Sequence, residues 1–568
     1  MTGDRDRGAG RLEVPAELAV EVDRLAGSWR TNEALPRLWE GDAGLWTGAD
    51  ESRWLGWLEV GGSGAALRAV DEIVSRVAEL APRDVVLLGM GGSSLGAEML
   101  AECLPPVPGA ATLRVVDSTS PPTVQAVLDA IDPERALVIS SSKSGGTLET
   151  RLLTRIFEQR VDERRFLAIT DPGSELAARA QRRGYVATVL GDPRIGGRFS
   201  VLSPFGLVPA RLAGRDVEPV LDGAREMAQR CLDTEPSDNP GCLLGLVLAA
   251  AARSGRRKLG FRVAPGGQAF GAWLEQLLAE SLGKRGRGLV PVVAWPRGAV
   301  DVLELEIGAS LPPEQLGAAG LRTAVGDARQ LGAEIFRWQF ATAVCGAVLG
   351  VHPFDQPDVE AAKQAARHLT EAMQRRRGDS AGPFEGPPFE TSVRSGGIRL
   401  LRPAVEGAAI GGGRAPGLRG DGGEDALTQQ VERWLARVPA DGYLGVLDYL
   451  PGRGAAARAG GELAQRFATR YERAAAWGRG PRYLHSTGQA FKGGPALGHF
   501  LLLVDGWRGE MRVPATSEVC AGLLLGDVQR AQAAGDAVAL AERGRPVLVL
   551  EVSSSDPAAL TRVQSLLA

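Results

Sequence analysis

The chain has 568 residues, 23% of them charged, and a net charge of −3, which allows two to four domains with full cores and leaves no basic footprint for nucleic acid or an acidic membrane. No run of 18 apolar residues occurs and the first residues lack the apolar centre of a signal peptide, so neither a membrane span nor export is expected. Five scattered cysteines (Cys103, Cys231, Cys242, Cys345, Cys520), never in C-x-x-C, predict reduced thiols in a cytoplasmic protein, and four histidines without paired ligand spacing argue against a transition-metal site.

Residues 1–80 predict a helical N-terminal segment carrying Trp29, Trp39, Trp46, Trp54 and Trp57. Residues 81–235 alternate apolar runs (85–88, 113–116, 136–139, 166–169, 186–190) with helical stretches. That alternation predicts an α/β domain, a doubly wound parallel sheet with its site at the carboxyl ends of the strands. A second such domain is expected over 236–375, with helix 243–252, strand 258–263, helix 268–282 and strand 289–293. Residues 376–425, rich in Gly, Pro and Arg, read as irregular. Order returns over 426–568 as a C-terminal α/β segment: helix 428–437, strand 443–449, helix 460–475, strand 499–504, helix 525–534 and strand 547–552.

Two strand-to-helix loops carry the strongest chemical signal. The run Ser142, Lys143, Ser144, Gly145, Gly146, Thr147 follows a buried strand and opens a helix, so hydroxyls, backbone N–H groups and the positive end of a helix dipole converge where a phosphate fits. A serine-rich cap with no ligand is the competing reading. Upstream, Gly89, Gly91, Gly92, Ser93 and Gly96 imitate a dinucleotide fingerprint, but serine stands at 94 where G-x-G-x-x-G needs glycine. Asp117 at the end of the next strand keeps a nicotinamide alternative open. Two phosphate-type loops on consecutive parallel strands suit a single sugar-phosphate pocket better than a dinucleotide.

Three further segments carry candidate chemistry. Glu280 lies in the last turn of a helix that Gly283 is expected to stop, facing the negative end of the dipole, as a base working near neutral pH requires; an exposed helix-end glutamate is the plain alternative. Arg198 follows Gly196 and Gly197 and can stabilise a developing oxyanion, or sit on a surface turn. Gln356 and Lys363 lie two turns apart on a helix begun at Pro357. The polar stretch 483–495 holds His485, Gln489 and Lys492.

Together these segments resemble the glucose-6-phosphate isomerase family, and most closely the isomerase half of bacterial transaldolase/glucose-6-phosphate isomerase fusions. The motifs are Gly-Gly-Ser at 91–93, Ser-Lys-Ser-Gly-Gly-Thr-Leu-Glu at 142–149, Gly-Gly-Arg-Phe-Ser at 196–200, Glu-Ser-Leu-Gly-Lys at 280–284 and the Phe-Asp-Gln stretch at 354–364. With only about 80 residues before the first loop, a stand-alone isomerase is expected. The resemblance implies two sugar isomerase (SIS) domains and interconversion of glucose 6-phosphate and fructose 6-phosphate through a cis-enediol, with no metal or organic cofactor. The implied partners are a small sugar phosphate and a second copy in a homodimer, not nucleic acid or membrane. It implies phosphate contacts from Ser142, Lys143, Ser144 and Thr147, with Gly92 and Ser93 lining the pocket. Glu280 becomes the base, Arg198 the enediolate partner, and Glu149, Gln356, Gln489 and Lys363 the sugar contacts, Lys363 also aiding ring opening. Family members carry a Gly-Thr-Asn-Gly-Gln-His loop; here the likeness is 485–489, Ala490 stands at the histidine's place, and His485 or Lys492 is left to substitute. A SIS-type sugar-phosphate-binding regulator without turnover is the alternative that this departure leaves open.

Overall fold

The apolar runs between residues 84 and 190 form one sheet. Asp84–Leu88 (β1), Thr112–Val116 (β2), Ala136–Ser141 (β3), Phe166–Thr170 (β4) and Ala187–Leu190 (β5) pair in parallel in the order β2-β1-β3-β4-β5. β1, β3 and β4 are buried at every residue, which is why they read as unbroken apolar runs rather than alternating ones. The strand order reverses between β1 and β3. Ligands of open α/β sheets bind at such a switch point, beyond the carboxyl ends of the strands, and both glycine-serine loops leave the sheet there.

The computed structural model describes residues 14–60, 65–308, 320–358, 389–395, 397–403, 424–452, 454–506, 511–514, 523–553 and 556–565. The chain divides into two compact units: residues 1–117, 131–289 and 301–355 make the first, and 118–130, 290–300 and 356–568 the second. Among the described residues, no helix is long and apolar enough to cross a membrane.

Neither residue 80 nor residue 235 marks a boundary between units, contrary to expectation. The helices Glu218–Arg230, Pro240–Arg253 and Ala328–Leu349 share one apolar core with the first sheet and with the N-terminal segment. Two glycines let the first and last of these helices meet backbone to backbone. A Cβ on Gly223 would lie 1.9 Å from the Arg329 carbonyl oxygen, and one on Gly332 would lie 1.8 Å from that of Val220. The N-terminal tryptophans cover the same helices: Trp46 Nε1 donates to the Ala343 carbonyl (2.8 Å) and Trp39 Nε1 to that of Cys231 (3.0 Å). Lys258–Val263 (β6), Val302–Ile307 (β8) and Gly320–Thr323 (β9) complete the first unit as parallel neighbours.

In the second unit Tyr443–Tyr449 (β12), Ala474–Arg479 (β13), Gly498–Asp505 (β14) and Val547–Val552 (β15) run parallel in the order β13-β12-β14-β15, repeating the winding of β2-β1-β3-β4. Phe389–Ser395 (β10) and Ile398–Pro403 (β11) add an antiparallel hairpin against β15. This hairpin corrects the expectation of an irregular 376–425; the rest of that stretch up to 423 lies outside the described residues. Val290–Val292 (β7) leads into Ala294, which bridges Ala475 of β13. The expected second domain over 236–375 is therefore distributed: 236–289 and 301–355 fall in the first unit, and 290–300 and 356–375 in the second.

Candidate active site

At the end of β1, Gly91 takes a left-handed φ of 55°, and Gly92 sits against the turn Gly197–Phe199. A Cβ on Gly92 would lie 2.1 Å from the Gly197 carbonyl and 2.7 Å from the Arg198 nitrogen, so only glycine allows this approach. At the end of β3, Ser142 Oγ donates to Thr147 Oγ1 (3.1 Å) and Gly146 N donates to Ser144 Oγ (3.2 Å). Gly145 takes φ 69°, while Ser144 and Gly146 face solvent. Thr147 is the N-cap of the helix Leu148–Phe157 and makes no side-chain cap bond, so the hydroxyl-rich mouth is not consumed by capping through that residue. Glu149 is buried in the first turn of this helix. Lys143 turns instead to Asp171 and to the carbonyls of Asp192 and Pro193 (3.4 and 3.3 Å).

The Gly197–Phe199 turn that packs on Gly92 carries Arg198 into the interior. Its Nε donates to Ser281 Oγ (2.8 Å), and its Nη2 to the carbonyls of Pro353 (2.7 Å) and Asp355 (2.8 Å). Its Nη1 lies 3.4 Å from Glu280 Oε2. Burial lowers the guanidinium's affinity for its proton, and the carboxylates of Glu280 and Asp355 oppose that change. Glu280 is 4% exposed, not the exposed helix-end residue of the plain alternative. Gln276, one turn earlier on the helix Gln268–Leu282, donates to the same carboxylate oxygen (3.3 Å). Gly283 closes the helix with φ −76°, so the left-handed turn comes later, at Arg285 and Gly286.

Lys284, His352, Asp355 and Asp50 belong to this cluster and carried no role in the sequence reading. Lys284 is buried, donates to the His352 carbonyl, and has its Nζ 2.7 Å from Asp355 Oδ1. Burial and the neighbouring Arg198 charge push its ammonium down to about 7, with Asp355 and Glu280 opposing. His352 Nδ1 accepts from the backbone N–H groups of Phe354 and Asp355 (3.1 and 3.2 Å), which leaves Nε2 to donate to Asp50 Oδ1 (2.9 Å). That bond holds the Asp50 carboxyl below the usual range. One signal in the sequence did mark Lys284: only five of the 65 basic residues are lysines (143, 258, 284, 363, 492), and four of the five lie in the motif segments.

The remaining candidates belong to the second unit. His485 is buried at the end of the turn Arg482–His485. Gln489 exchanges hydrogen bonds with Asp358, giving from Nε2 to Oδ2 (2.6 Å) and accepting from the backbone N–H (3.0 Å). Lys492 is fully buried and paired with Asp536, so the substitution for a ring-opening histidine that the sequence left open to it meets a lysine already engaged. Ala490 is fully buried. Gln356 precedes the short helical start at Pro357, and Lys363 lies outside the described residues.

Comparison with known proteins bears on this geometry. The phosphoglucose isomerase family model matches residues 76–295, which contain Gly92, the 142–149 loop, Arg198, Glu280 and Lys284. The chain is 30% identical over 367 residues to a glucose-6-phosphate isomerase of Rubrobacter xylanophilus, covering 52% of this chain and 85% of that one. It is 35% identical over 212 residues to a glucose-6-phosphate isomerase of a Cyanothece species, of whose length it spans 40%. A crystal structure of a hypothetical protein from Thermus thermophilus shares the fold (TM-score 0.54, 24% identity), covering 63% of this chain and 99% of that one. With the Rubrobacter relative matched over most of its length, the chain belongs to the glucose-6-phosphate isomerase family and is an aldose–ketose isomerase.

Proposed function

We propose that Glu280 and Arg198 carry the isomerisation of glucose 6-phosphate and fructose 6-phosphate. The observation that supports this most directly is the buried pair itself: the guanidinium stands 3.4 Å from the carboxylate, and its backbone packs on the Gly92 loop at the switch point of the first sheet. Glu280 takes the proton from C2 of the open-chain aldose, and the C2–H electrons form the enediolate as the carbonyl oxygen gains charge. Arg198 stabilises that oxygen with a fixed positive group in a dry site. The carboxylic acid returns the proton to C1 while the O2 proton passes to O1, so C1 is reduced and C2 oxidised within one molecule. The loop 142–147 anchors the phosphate through Ser142, Ser144, Thr147 and backbone N–H groups, with Gly92 and Ser93 beside it.

Lys143 enters this reading as the residue that ties the phosphate loop to Asp171 rather than as a free cation. Glu149, Gln356, Lys363, His485 and Gln489 are assigned to sugar binding and ring opening on their motif matches. We also read the enzyme as a cytoplasmic homodimer: the free cysteines Cys103, Cys231, Cys242 and Cys345 support the compartment, and the family resemblance supports the dimer. The test is isotopic. In deuterated water the wild type should place deuterium at C2 of glucose 6-phosphate, and Glu280→Gln should abolish that incorporation while fructose 6-phosphate still binds; incorporation by the variant at the wild-type rate would remove Glu280 from the mechanism.

A further inference from the structure

We propose that Lys284 is a positioning residue for the isomerisation: it clamps the 352–355 turn so that the turn's carbonyls aim the Arg198 guanidinium across Glu280. The inference deepens the reading above and rests on it for its kinetic part.

The connections are all within the first unit. Lys284 leaves the C-terminus of the helix that carries Glu280 and reaches both the His352 carbonyl and the Asp355 carboxylate (2.7 Å). The carbonyls of Pro353 and Asp355, inside that turn, receive both hydrogens of Arg198 Nη2. The other side of the turn is fixed independently, because His352 Nδ1 accepts from two of its N–H groups and His352 Nε2 donates to Asp50. Phe354 seals it against Phe199 (5.2 Å between ring centroids) and Trp46 (5.8 Å). Lys284 thus ties the end of the glutamate helix to the turn, alongside Arg198, which joins Ser281 of that helix to the turn's carbonyls.

An ion pair of this kind is a poor way to gain stability. A buried ammonium loses hydration, and a well-packed apolar side chain of similar volume generally serves folding as well or better. The chain places a lysine there although it uses arginine for 60 of its 65 cations, counting the five lysines out of the total. A second guanidinium beside Arg198 would need room for a planar fork, whereas one ammonium meets a carbonyl and a carboxylate from a single point. Its charge also faces Arg198, Glu280 and Asp355, and Asp50 lies beyond His352, so the position is tied to the charges of the site.

The experiment uses the full chain with Lys284→Met and, because Met at a buried cation site can hinder folding, Asp355→Asn, whose side chain is 43% exposed and whose main-chain carbonyl still accepts from Arg198. Lys284→Met should lower kcat by about tenfold or more with KM within about threefold, since an interaction that aims a group at the transition state leaves ground-state binding nearly unchanged. A phosphorylated hydroxamate that mimics the enediolate should weaken by about the same factor as kcat. Amide hydrogen exchange at Phe354 and Asp355 should accelerate, and Asp355→Asn should show the same changes at a smaller size. Unchanged kcat and exchange in Asp355→Asn, or a fall in kcat for Lys284→Met with analogue affinity and exchange at wild-type values, would overturn the clamp. A wild type without turnover would defeat the functional reading instead, and the exchange data would still decide whether Lys284 holds the turn.

Discussion

The first sheet and the parallel strands β13-β12-β14-β15 of the second unit wind in the same order, and the segments between their strands draw on the same residue types, among them serine, threonine, glycine, a lysine and an acid. Their surroundings separate them. In the first unit Lys143 and Asp171 keep about a fifth of their side chains exposed (21% and 18%), and Ser144 and Gly146 face solvent. In the second unit Lys492 and Asp536 are 1% and 0% exposed, Tyr483 donates its hydroxyl to Asp536, and Tyr449 stands 3.0 Å from Tyr483. Arg545 donates to the carbonyls of Lys492 and Gly494, closing the same cluster. Polar groups at the mouth of a sheet offer hydrogen bonds to a ligand; the same groups without water must spend those bonds on one another. Burial, more than residue type, distinguishes the proposed phosphate cradle from an internal lock.

That contrast predicts a separation between variants that remove chemistry and variants that remove stability. The largest effect should come from Glu280→Gln, which should lower kcat by about 10³-fold, within the range for loss of a general base, with little change in melting temperature; a coupled assay of glucose 6-phosphate formation and a thermal melt measure both. Next, Lys492→Met should destabilise the protein by about 3–5 kcal/mol, because it leaves the Asp536 carboxylate buried without its cation. Lys143→Met removes a partly solvated pair and should cost under about 1 kcal/mol. Equal costs in denaturant titrations would break the comparison. A smaller effect is expected from Thr147→Val, which should raise KM about tenfold with kcat nearly unchanged, because a hydroxyl bond to a charged phosphate contributes about 1.5 kcal/mol and is present in ground and transition states alike.

How much of this was legible beforehand depended on how local the cause was. β1, β3 and β4 of the first sheet are buried at every residue and announce themselves as apolar runs, while β2 and β5 keep exposed positions. The loops at their ends were readable because glycine and hydroxyl residues there answer to a local demand, the entry of a helix and the close approach at Gly92. β13 is not legible in the sequence: Ala474, Ala475, Ala476 and Gly478 carry little apolar signal, and the strand exists because β12 and Ala294 supply its hydrogen bonds. The β10–β11 hairpin was hidden in a Gly/Pro/Arg-rich stretch for the same reason, its partner β15 being some 150 residues away in the chain. Residues 118–130 and 290–300 leave their sequence neighbours for the other unit, and nothing local marks that exchange. In the site, Arg198 and Glu280 stood in motifs, whereas His352 and Asp50, 302 positions apart, became partners only through folding.

The finest test of the contrast lies in Asp448 at the end of β12, a carboxylate in the second unit with no exposed surface. Trp477 Nε1 donates to its Oδ2 (2.6 Å) and Arg479 Nε lies 3.7 Å from its Oδ1, yet burial outweighs both and pushes the carboxyl up to about 6. An unfolded aspartate titrates near 3.8, so between about pH 4 and pH 6 the folded protein holds a proton that the unfolded chain has released. Stability from this group is therefore fully present below about pH 4 and is lost as pH rises through about 6, by about 3 kcal/mol in all. Asp448→Asn keeps an oxygen for Trp477 and cannot ionise. Its stability relative to wild type should grow by about 1 kcal/mol between pH 5 and pH 7.5, measured by urea titration at each pH. A gain that does not vary with pH would mean that Asp448 is adequately compensated by Arg479 and Trp477, and that the second unit tolerates a buried carboxylate as readily as the solvent-facing loops of the first.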